Sequence, residues 1–157
     1  MIQILWRILR DANEADDALQ CALTTLWRKW STLRKHINPE ALVLRICVDA
    51  AYDQLRKTSR QQRRNQPITE VPVAADPSQE AEQEETEREI LQAIAALRGK
   101  QRTATYMRLI EGYSYEAIAA TVNCGEPTAR KHVARGRQRL QASLSHLAPR
   151  HRQASKS

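Results

Sequence analysis

The sequence has few of the residues on which sheet-rich and disulfide-bonded folds depend. Its 157 residues include no phenylalanine, four glycines and three cysteines. The commonest residue types are helix formers such as alanine, leucine, glutamine, glutamate and arginine, so we expect an all-α fold. Cys21, Cys47 and Cys124 lack the paired spacing of a zinc site or a secreted disulfide framework. We therefore expect these cysteines to be small buried hydrophobic residues.

The sequence also lacks a long apolar run. The stretch from Met1 to Leu9 is apolar but short, and it contains Arg7. Acidic residues follow it, where a signal peptide would have a cleavage site of small residues. Because this stretch fits neither a signal peptide nor a membrane-spanning helix, we expect no membrane insertion and a cytoplasmic location.

Charge is distributed unevenly along the chain, whose net charge is +7. Eight acidic residues and one arginine between positions 70 and 89 give that segment a net charge of −7, so the rest of the chain carries +14. A cationic surplus of this size suits a polyanionic partner such as nucleic acid, because each phosphate that is neutralised releases counterions.

Residues 112–144 have the pattern of two helices joined by a tight turn. Ser114 is a suitable N-cap for the first helix, and Pro127 suits the first turn of the second, where its missing N–H would be unsatisfied anyway. Small and apolar residues then recur along one face of the second helix, namely Ala129, Val133, Gly136, Leu140 and Leu144. Cations occupy its other faces. This pattern predicts a helix-turn-helix, whose second helix enters the major groove of DNA. The alternative is an ordinary helical pair with a solvated basic face.

The first half of the chain has the pattern of two long helices. Asp11 or Asn13 can cap the first helix, and Asn38 followed by Pro39 opens the second. The residues expected to be buried on the first helix are Ala15, Leu19, Ala22, Leu23, Leu26 and Trp30. Those expected to be buried on the second are Val43, Ile46, Cys47, Ala50 and Leu55. The spacing of Trp27 and Trp30 favours packing in a core or an interface over stacking on bases.

Proline and charge divide the chain into two small helical domains. Three prolines between positions 67 and 77, without apolar periodicity, indicate a flexible acidic linker over residues 65–81. Residues 1–64 would form the first domain, and residues 82–147 the second, which ends in the helix-turn-helix. Residues 148–157 are expected to be a disordered basic tail.

Short motifs in both halves are similar to those of one known family. In the first half they are the acidic segment from Ala15 to Gln20 and the segment from Arg45 to Arg56. In the second half they are Gln101-Arg102, the segment from Gly112 to Ala119, and Thr128, Arg130, Arg135 and Arg137. On these motifs the chain resembles bacterial RNA polymerase sigma factors of the sigma-70 family. The resemblance is to the small extracytoplasmic-function (ECF) type, which keeps only conserved regions 2 and 4.

The resemblance implies a function without covalent chemistry. The chain would bind core RNA polymerase, recruit it to double-stranded promoter DNA and help to open the duplex, and an anti-sigma factor would be a further partner. The first domain would be region 2-like. The second would be a region 4-like helix-turn-helix of the winged-helix-like DNA-binding superfamily. No catalytic residue, cofactor or metal is implied.

The resemblance also assigns residues to three binding surfaces. Those facing polymerase would be Asp16, Asp17 and Gln20. Those near the minus-ten element would be Asp49, Asp53, Arg56, Lys57 and Arg60. Those at the minus-thirty-five element, on the recognition helix, would be Pro127, Thr128, Arg130, Lys131, His132 and Arg135.

Some positions depart from the family pattern. Only fourteen residues precede Ala15, fewer than family members usually have, so the first domain is reduced or the start is placed late. Asp49 stands where the family usually has asparagine, and we expect its charge to repel phosphates and weaken melting. Lys131-His132 replaces a serine-arginine pair, which affects which promoter would be read.

Two other classes of protein fit parts of the sequence. A helix-turn-helix regulator without sigma activity would bind DNA through the second domain and another protein through the first. A nucleic-acid enzyme would need clustered carboxylates or an activated nucleophile. Adjacent Asp16 and Asp17 diverge by about 100° on a helix, and Asp49 and Asp53 have arginine neighbours. We therefore expect no enzymatic activity.

Overall fold

The structure is a computed structural model that describes residues 1–65 and 79–145, without the side chains of 62–65 and 79–82. Every regular element in these ranges is a helix, which confirms the all-α prediction. In chain order the helices are α1 (Ile2–Leu9), α2 (Ala12–Arg28), α3 (Trp30–Lys35), α4 (Pro39–Asn65), α5 (Gln79–Ala95), α6 (Gly99–Leu109), α7 (Tyr115–Val122) and α8 (Glu126–Ser143).

The predicted linker, residues 65–81, lies mostly outside the described residues, and the predicted tail, residues 148–157, lies wholly outside them. Four residues of that linker are helical, since α4 reaches Asn65 and α5 begins at Gln79. The acidic composition of the start of α5 suits a helix, because carboxylates are favourable near the positive N-terminal end of the helix dipole.

Side-chain caps define the starts of α2 and α4. The Asp11 side chain accepts a hydrogen bond from the backbone N–H of Glu14 at 2.9 Å, and Asn38 Oδ1 accepts one from that of Ala41 at 3.0 Å. Each bond satisfies a backbone donor that the first helical turn leaves free. Asp11, and not Asn13, is therefore the cap of α2, and the predicted start of the second long helix at Asn38-Pro39 is confirmed.

The apolar N-terminal run forms α1 and packs into the core. Leu5, Ile8 and Leu9 are buried, where they contact α2 and α4. The helix ends at Arg10, whose φ of 53° is left-handed.

Helix α2 packs through small residues, and part of its predicted apolar face is exposed. Its buried residues are Ala15, Ala18, Ala22 and Leu26. The predicted burial of Leu23 and Trp30 is wrong, because these side chains are 50% and 55% exposed. The alanines allow α2 to lie close to α4, and this contact turns Leu23 toward solvent. Trp30 no longer belongs to the same helix, because α2 ends at Arg28.

Helix α4 is buried on more than one side. Ile46 and Cys47 are buried as predicted, whereas Val43, Ala50 and Leu55 are only partly buried. The sequence pattern did not identify the other buried side chains, which are Ala41, Leu42, Leu44, Val48, Ala51 and Tyr52. The reason is that α4 contacts α1, α2 and α3 and also α6 and α7 from the second half of the chain, so it has no single buried stripe.

Helices α6, α7 and α8 form the predicted helix-turn-helix and its support. The Ser114 side chain accepts a hydrogen bond from the Ala117 N–H at 3.2 Å, and α7 ends at Asn123, whose φ is 53°. Pro127 lies in the first turn of α8. The predicted stripe on α8 is confirmed, since Ala129, Val133, Gly136 and Leu140 are buried and Leu144 is partly buried.

Gly136 is required by the close contact between α8 and α6. A Cβ at this position would lie 2.0 Å from Oγ1 of Thr105 and 3.0 Å from its Cβ. Both distances are shorter than ordinary van der Waals contact, so only glycine fits without a shift of the Thr105 side chain or of α8. This contact fixes the recognition helix on the rest of the second half.

The core continues from one half of the chain into the other. The rings of Tyr52 on α4 and Tyr106 on α6 meet edge to face, with centroids 6.4 Å apart. Burial, with a further contribution from the Glu111 carboxylate, raises the pKa of Tyr106 to about 12. Burial likewise raises the pKa of Tyr52. Both phenols are therefore neutral at physiological pH.

The three cysteines lie in different environments. Cys47 is buried, Cys124 is partly buried and Cys21 is exposed. The expectation of burial is thus wrong for Cys21, because the buried alanines of α2 turn its face of the helix toward solvent. Burial raises the pKa of the Cys47 thiol, so this thiol reacts slowly with alkylating agents.

Candidate nucleic-acid and polymerase interfaces

The first turns of α8 present the residues predicted for the minus-thirty-five element. His132 is partly buried and the others are exposed: Pro127, Thr128, Arg130, Lys131 and Arg135. We call these six residues the recognition surface. The buried stripe of α8 lies on the opposite side and packs against α6 and α7. The helix therefore keeps its apolar face in the core and leaves its basic N-terminal face open to a groove of DNA.

Arg130 is held in place by two neighbours. Its Nε and Nη2 donate hydrogen bonds to Glu126 Oε1 at 3.1 and 2.6 Å, and its guanidinium lies 4.4 Å from the ring centroid of Tyr115. Arg108 stacks on the same ring at 4.7 Å. A cation over a tyrosine ring at an exposed site is stabilised by about 0.5–1 kcal/mol. The guanidinium is thus oriented before it meets DNA, and it loses less conformational freedom on binding.

Sequence reasoning missed both neighbours of Arg130. Glu126 lies four residues before Arg130 on the same helix, so its spacing could have revealed it. Tyr115 begins α7, and no local signal places its ring beside a side chain of α8.

The predicted minus-ten residues lie along one side of α4. Asp53, Arg56, Lys57 and Arg60 are exposed, and Asp49 is partly buried. We call these five residues the minus-ten surface. Asp49, Asp53, Arg56 and Arg60 recur at steps of four, three and four residues, so they share one helical face, and Lys57 is beside Arg56. Arg56 donates a hydrogen bond to Asp53, so this cation is paired with an acidic residue of the same surface.

Asp49 contacts the second half of the chain. Its Oδ1 accepts a hydrogen bond from Thr103 Oγ1 at 2.9 Å and lies 3.6 Å from Nη2 of Arg102. Its Oδ2 lies 3.5 Å from Nε of Arg45 on the same helix. Arg102 is only 3% exposed, and its guanidinium lies 5.0 Å from the ring centroid of Tyr52. The negative charge of Asp49 is therefore matched by two arginines, one from each half.

The predicted polymerase-facing residues are exposed on α2. Asp16, Gln20, Leu23 and Trp27 recur at steps of four, three and four, so they share one face, and Asp17 is beside them. Trp27 is 82% exposed. Trp30, at the start of α3, is also exposed. We call Asp16, Asp17, Gln20, Leu23, Trp27 and Trp30 the α2 surface. Large apolar side chains exposed together beside polar groups mark protein-binding sites.

The described residues contain neither a metal cluster nor a transmembrane candidate. No three or more of their histidine, cysteine, aspartate and glutamate side chains come together in a way that could hold a metal ion. No helix within residues 1–65 and 79–145 is both long and apolar enough to cross a membrane.

The second half of the chain holds an exposed basic recognition helix that packs on α6 and α7, and the first half has polar surfaces of its own. This arrangement defines a DNA-binding protein of the helix-turn-helix class. Comparison with protein families gives two matches. The description "Sigma-70 region 2" matches residues 1–61, and "Sigma-70, region 4" matches residues 87–140.

Curated proteins and a solved structure agree with these matches. The chain is 30% identical to the ECF RNA polymerase sigma factor SigM of Mycobacterium tuberculosis, over 88% of this chain and 68% of that protein. It is 26% identical to the RNA polymerase sigma-H factor of Pseudomonas aeruginosa, over 94% of this chain and 81% of that protein. The structure is similar to that of the sigma factor RpoE in complex with the anti-sigma factor NepR from Bartonella quintana. The TM-score is 0.53 at 26% identity, and the match covers 92% of this chain and 89% of that one.

The chain belongs to the ECF group of the sigma-70 family of RNA polymerase sigma factors. The resemblance seen in its motifs is thereby confirmed. As a sigma factor it serves transcription initiation, acting with core RNA polymerase at promoter DNA. The assignment of individual residues to the three surfaces stays a prediction.

Proposed function

We propose that this chain guides core RNA polymerase in the cytoplasm to its promoters through three surfaces, without catalysing a reaction of its own. The observation that carries this proposal is the recognition surface of α8, which stays exposed while the opposite side of the helix is buried. Arg130, already oriented by Tyr115 and Glu126, would read a base edge in the major groove. Lys131 and Arg135 would neutralise phosphates.

The α2 surface would bind the polymerase. Asp16, Asp17 and Gln20 supply polar and anionic contacts, and Leu23 and Trp27 supply apolar area that no described residue covers fully. An aromatic anchor surrounded by polar groups is typical of the energetically dominant part of a protein interface. The minus-ten surface of α4 would bind promoter DNA next to the α2 surface, since α2 and α4 pack directly on each other.

An anti-sigma factor is a further partner that we propose. The support is the similarity to RpoE, whose structure was determined in complex with NepR. Such a partner would regulate the chain by binding it in place of polymerase or DNA.

Retention on purified core RNA polymerase tests the α2 surface. The full chain should be retained in moderate salt, and Asp17→Lys and Trp27→Ala should each weaken retention, because one reverses a charge and the other removes the apolar anchor. Glu85→Lys, at an exposed position on α5, is the matched control for the charge change and should bind normally. Normal binding by both α2 variants would remove this surface from the proposal.

Promoter selection tests the recognition surface. Core polymerase loaded with the full chain is used to select sequences from a randomised duplex library. The proposal expects one preferred motif upstream of the start site that changes when Arg130 is replaced by alanine. A library that stays random with the unaltered chain would contradict promoter recognition.

A further inference from the structure

Helix α8 begins with Glu126, which is the only acidic residue of that helix. Its side chain is exposed, and it immediately precedes Pro127, the first residue of the recognition surface. The N-terminal residues of a recognition helix are the ones that reach base edges. A carboxylate is favourable near the positive end of the helix dipole, but DNA phosphates repel it. Glu126 therefore carries a charge that a surface made only to bind phosphates would lack.

Glu126 determines which end of the Arg130 guanidinium is free. A guanidinium has five N–H donors, and Nε and Nη2 of Arg130 each donate one hydrogen bond to Glu126 Oε1, at 3.1 and 2.6 Å. The N–H groups that are left are the two of Nη1 and the second of Nη2. They form the fork that can donate two hydrogen bonds to O6 and N7 of guanine. The pair thus leaves the guanine-reading end of Arg130 open.

The ring of Tyr115 restrains the same guanidinium from another side. The guanidinium carbon of Arg130 lies 4.4 Å from the ring centroid, and that of Arg108 lies 4.7 Å from it. Since Arg130 is held both by this ring and by the carboxylate, we expect Arg130 and Glu126 to enter a groove of DNA as one unit.

The second oxygen of Glu126 is available to a ligand. Oε1 accepts both hydrogen bonds from Arg130, and Oε2 accepts none from the part of the chain that the structure describes. An ionised carboxylate can only accept hydrogen bonds. In the major groove cytosine presents the N4 amino donor without an acceptor on the same base, whereas the N6 donor of adenine stands beside the acceptor N7. Cytosine is therefore the base that suits Oε2.

We propose that Glu126 is a specificity-determining residue, which accepts a hydrogen bond from the N4 amino group of a cytosine in the promoter. Residues four apart on a helix lie about 5–6 Å apart, and successive base pairs are about 3.4 Å apart. The cytosine would therefore lie one or two base pairs from the guanine that Arg130 reads. This inference rests on the proposed function, because it requires α8 to lie in the major groove of the promoter.

Selection from a randomised duplex library by polymerase holoenzyme tests the proposal. The motif of the unaltered chain should hold a guanine and, one or two base pairs away, a cytosine. Glu126→Gln should replace this cytosine by adenine on the same strand, because an amide pairs with N6 and N7 of adenine. Glu126→Ala should select no base there, with discrimination reduced by about fivefold or more.

Glu116→Gln is the matched control. Glu116 is an exposed acid in the first turn of α7, so this variant removes the same charge near a helix N-terminus without touching α8. Its motif should stay that of the unaltered chain. A role of Glu126 in the helix dipole alone would make its variants behave like this control, with every sequence affected equally.

An unchanged base at the cytosine position in both Glu126 variants would overturn the proposal. Weaker discrimination at the guanine alone would also overturn it, because Glu126 would then act only by positioning Arg130. The Arg130→Ala variant separates these failures from failure of the proposed function. A motif that changes in Arg130→Ala but not in the Glu126 variants removes only this inference, whereas an unaltered chain that selects no motif removes promoter recognition itself.

Discussion

Helices α4 and α8 both carry residues that the sequence assigns to DNA, but the fold places them differently. Helix α8 is buried along one stripe and exposed along the rest, so its basic residues face solvent. Helix α4 is buried on several sides and lies between the two halves of the chain. Asp49, at one end of its minus-ten surface, is paired with Arg102 of α6, whereas Asp53, Arg56, Lys57 and Arg60 are exposed. The same kind of sequence pattern therefore occurs on a helix that packs along one stripe and on a helix that packs on several sides.

The largest expected effect comes from the packing that fixes α8. Gly136→Ala adds a methyl group 2.0 Å from Thr105 Oγ1, and we expect a loss of about 1–3 kcal/mol in the free energy of unfolding. Alanine has the higher helix propensity, by about 1 kcal/mol, so a less tightly packed helix would be stabilised instead. Thermal unfolding followed by circular dichroism measures the difference.

A second substitution sharpens this test. Thr105→Ala removes the oxygen that the new methyl group meets, so the double variant should recover part of the lost stability. Ala134→Ser, at an exposed position on α8, should change little. A rise in melting temperature for Gly136→Ala would contradict the close contact between α8 and α6.

The next effect concerns base recognition by α8. Arg130→Ala should reduce discrimination at one base pair of the selected promoter by about 1–3 kcal/mol, as expected for a bidentate arginine contact. Competition binding of polymerase holoenzyme to promoters that differ at single positions measures it. Arg28→Ala, an exposed cation at the end of α2, is the control. Equal weakening at every sequence would reduce Arg130 to a phosphate contact.

A smaller effect is expected from the ring that supports Arg130. Tyr115→Leu keeps an apolar side chain but removes the cation–π contact. We therefore expect discrimination at the base pair that Arg130 reads to fall by about 0.5–1 kcal/mol. Tyr115→Phe keeps the ring and should stay close to the unaltered protein. The same competition assay applies, and a loss spread over all base pairs would show that Tyr115 does not act through Arg130.

The smallest expected effect is on the rate of thiol alkylation, which compares one cysteine on α2 with one on α4. Iodoacetamide should modify Cys21 quickly, whereas Cys47 on α4 should react only after unfolding, because it is buried and burial raises its pKa. Mass spectrometry of timed samples measures the order of reaction. Rapid modification of Cys47 in the folded protein would contradict the buried position of α4.

Local features of the fold could be predicted from the sequence, because neighbouring residues determine them. The caps at Asp11, Asn38 and Ser114 each bond to a backbone group three residues further on. The buried stripe of α8 follows from one helical period, because this helix packs on one side only. The exposure of Arg130, Lys131 and Arg135, which lie off that stripe, follows from the same period, whereas their contact with DNA stays a prediction.

Features that depend on distant parts of the chain could not be predicted in this way. The pairing of Asp49 with Arg102 joins residues 53 positions apart, and Tyr115 reaches Arg130 only through the turn between two helices. Leu23 and Trp30 have an apolar spacing typical of a core, yet they are exposed. Periodicity shows that residues share a face, but it does not show whether the protein's own core or a partner covers that face.

Polymerase retention and promoter selection, measured with the same variants, test the account most directly. The account predicts that the unaltered chain binds core RNA polymerase and selects one promoter motif, that Asp17→Lys binds polymerase more weakly, and that Arg130→Ala keeps polymerase binding but selects a different motif. An unaltered chain that binds core polymerase but selects no motif would contradict it.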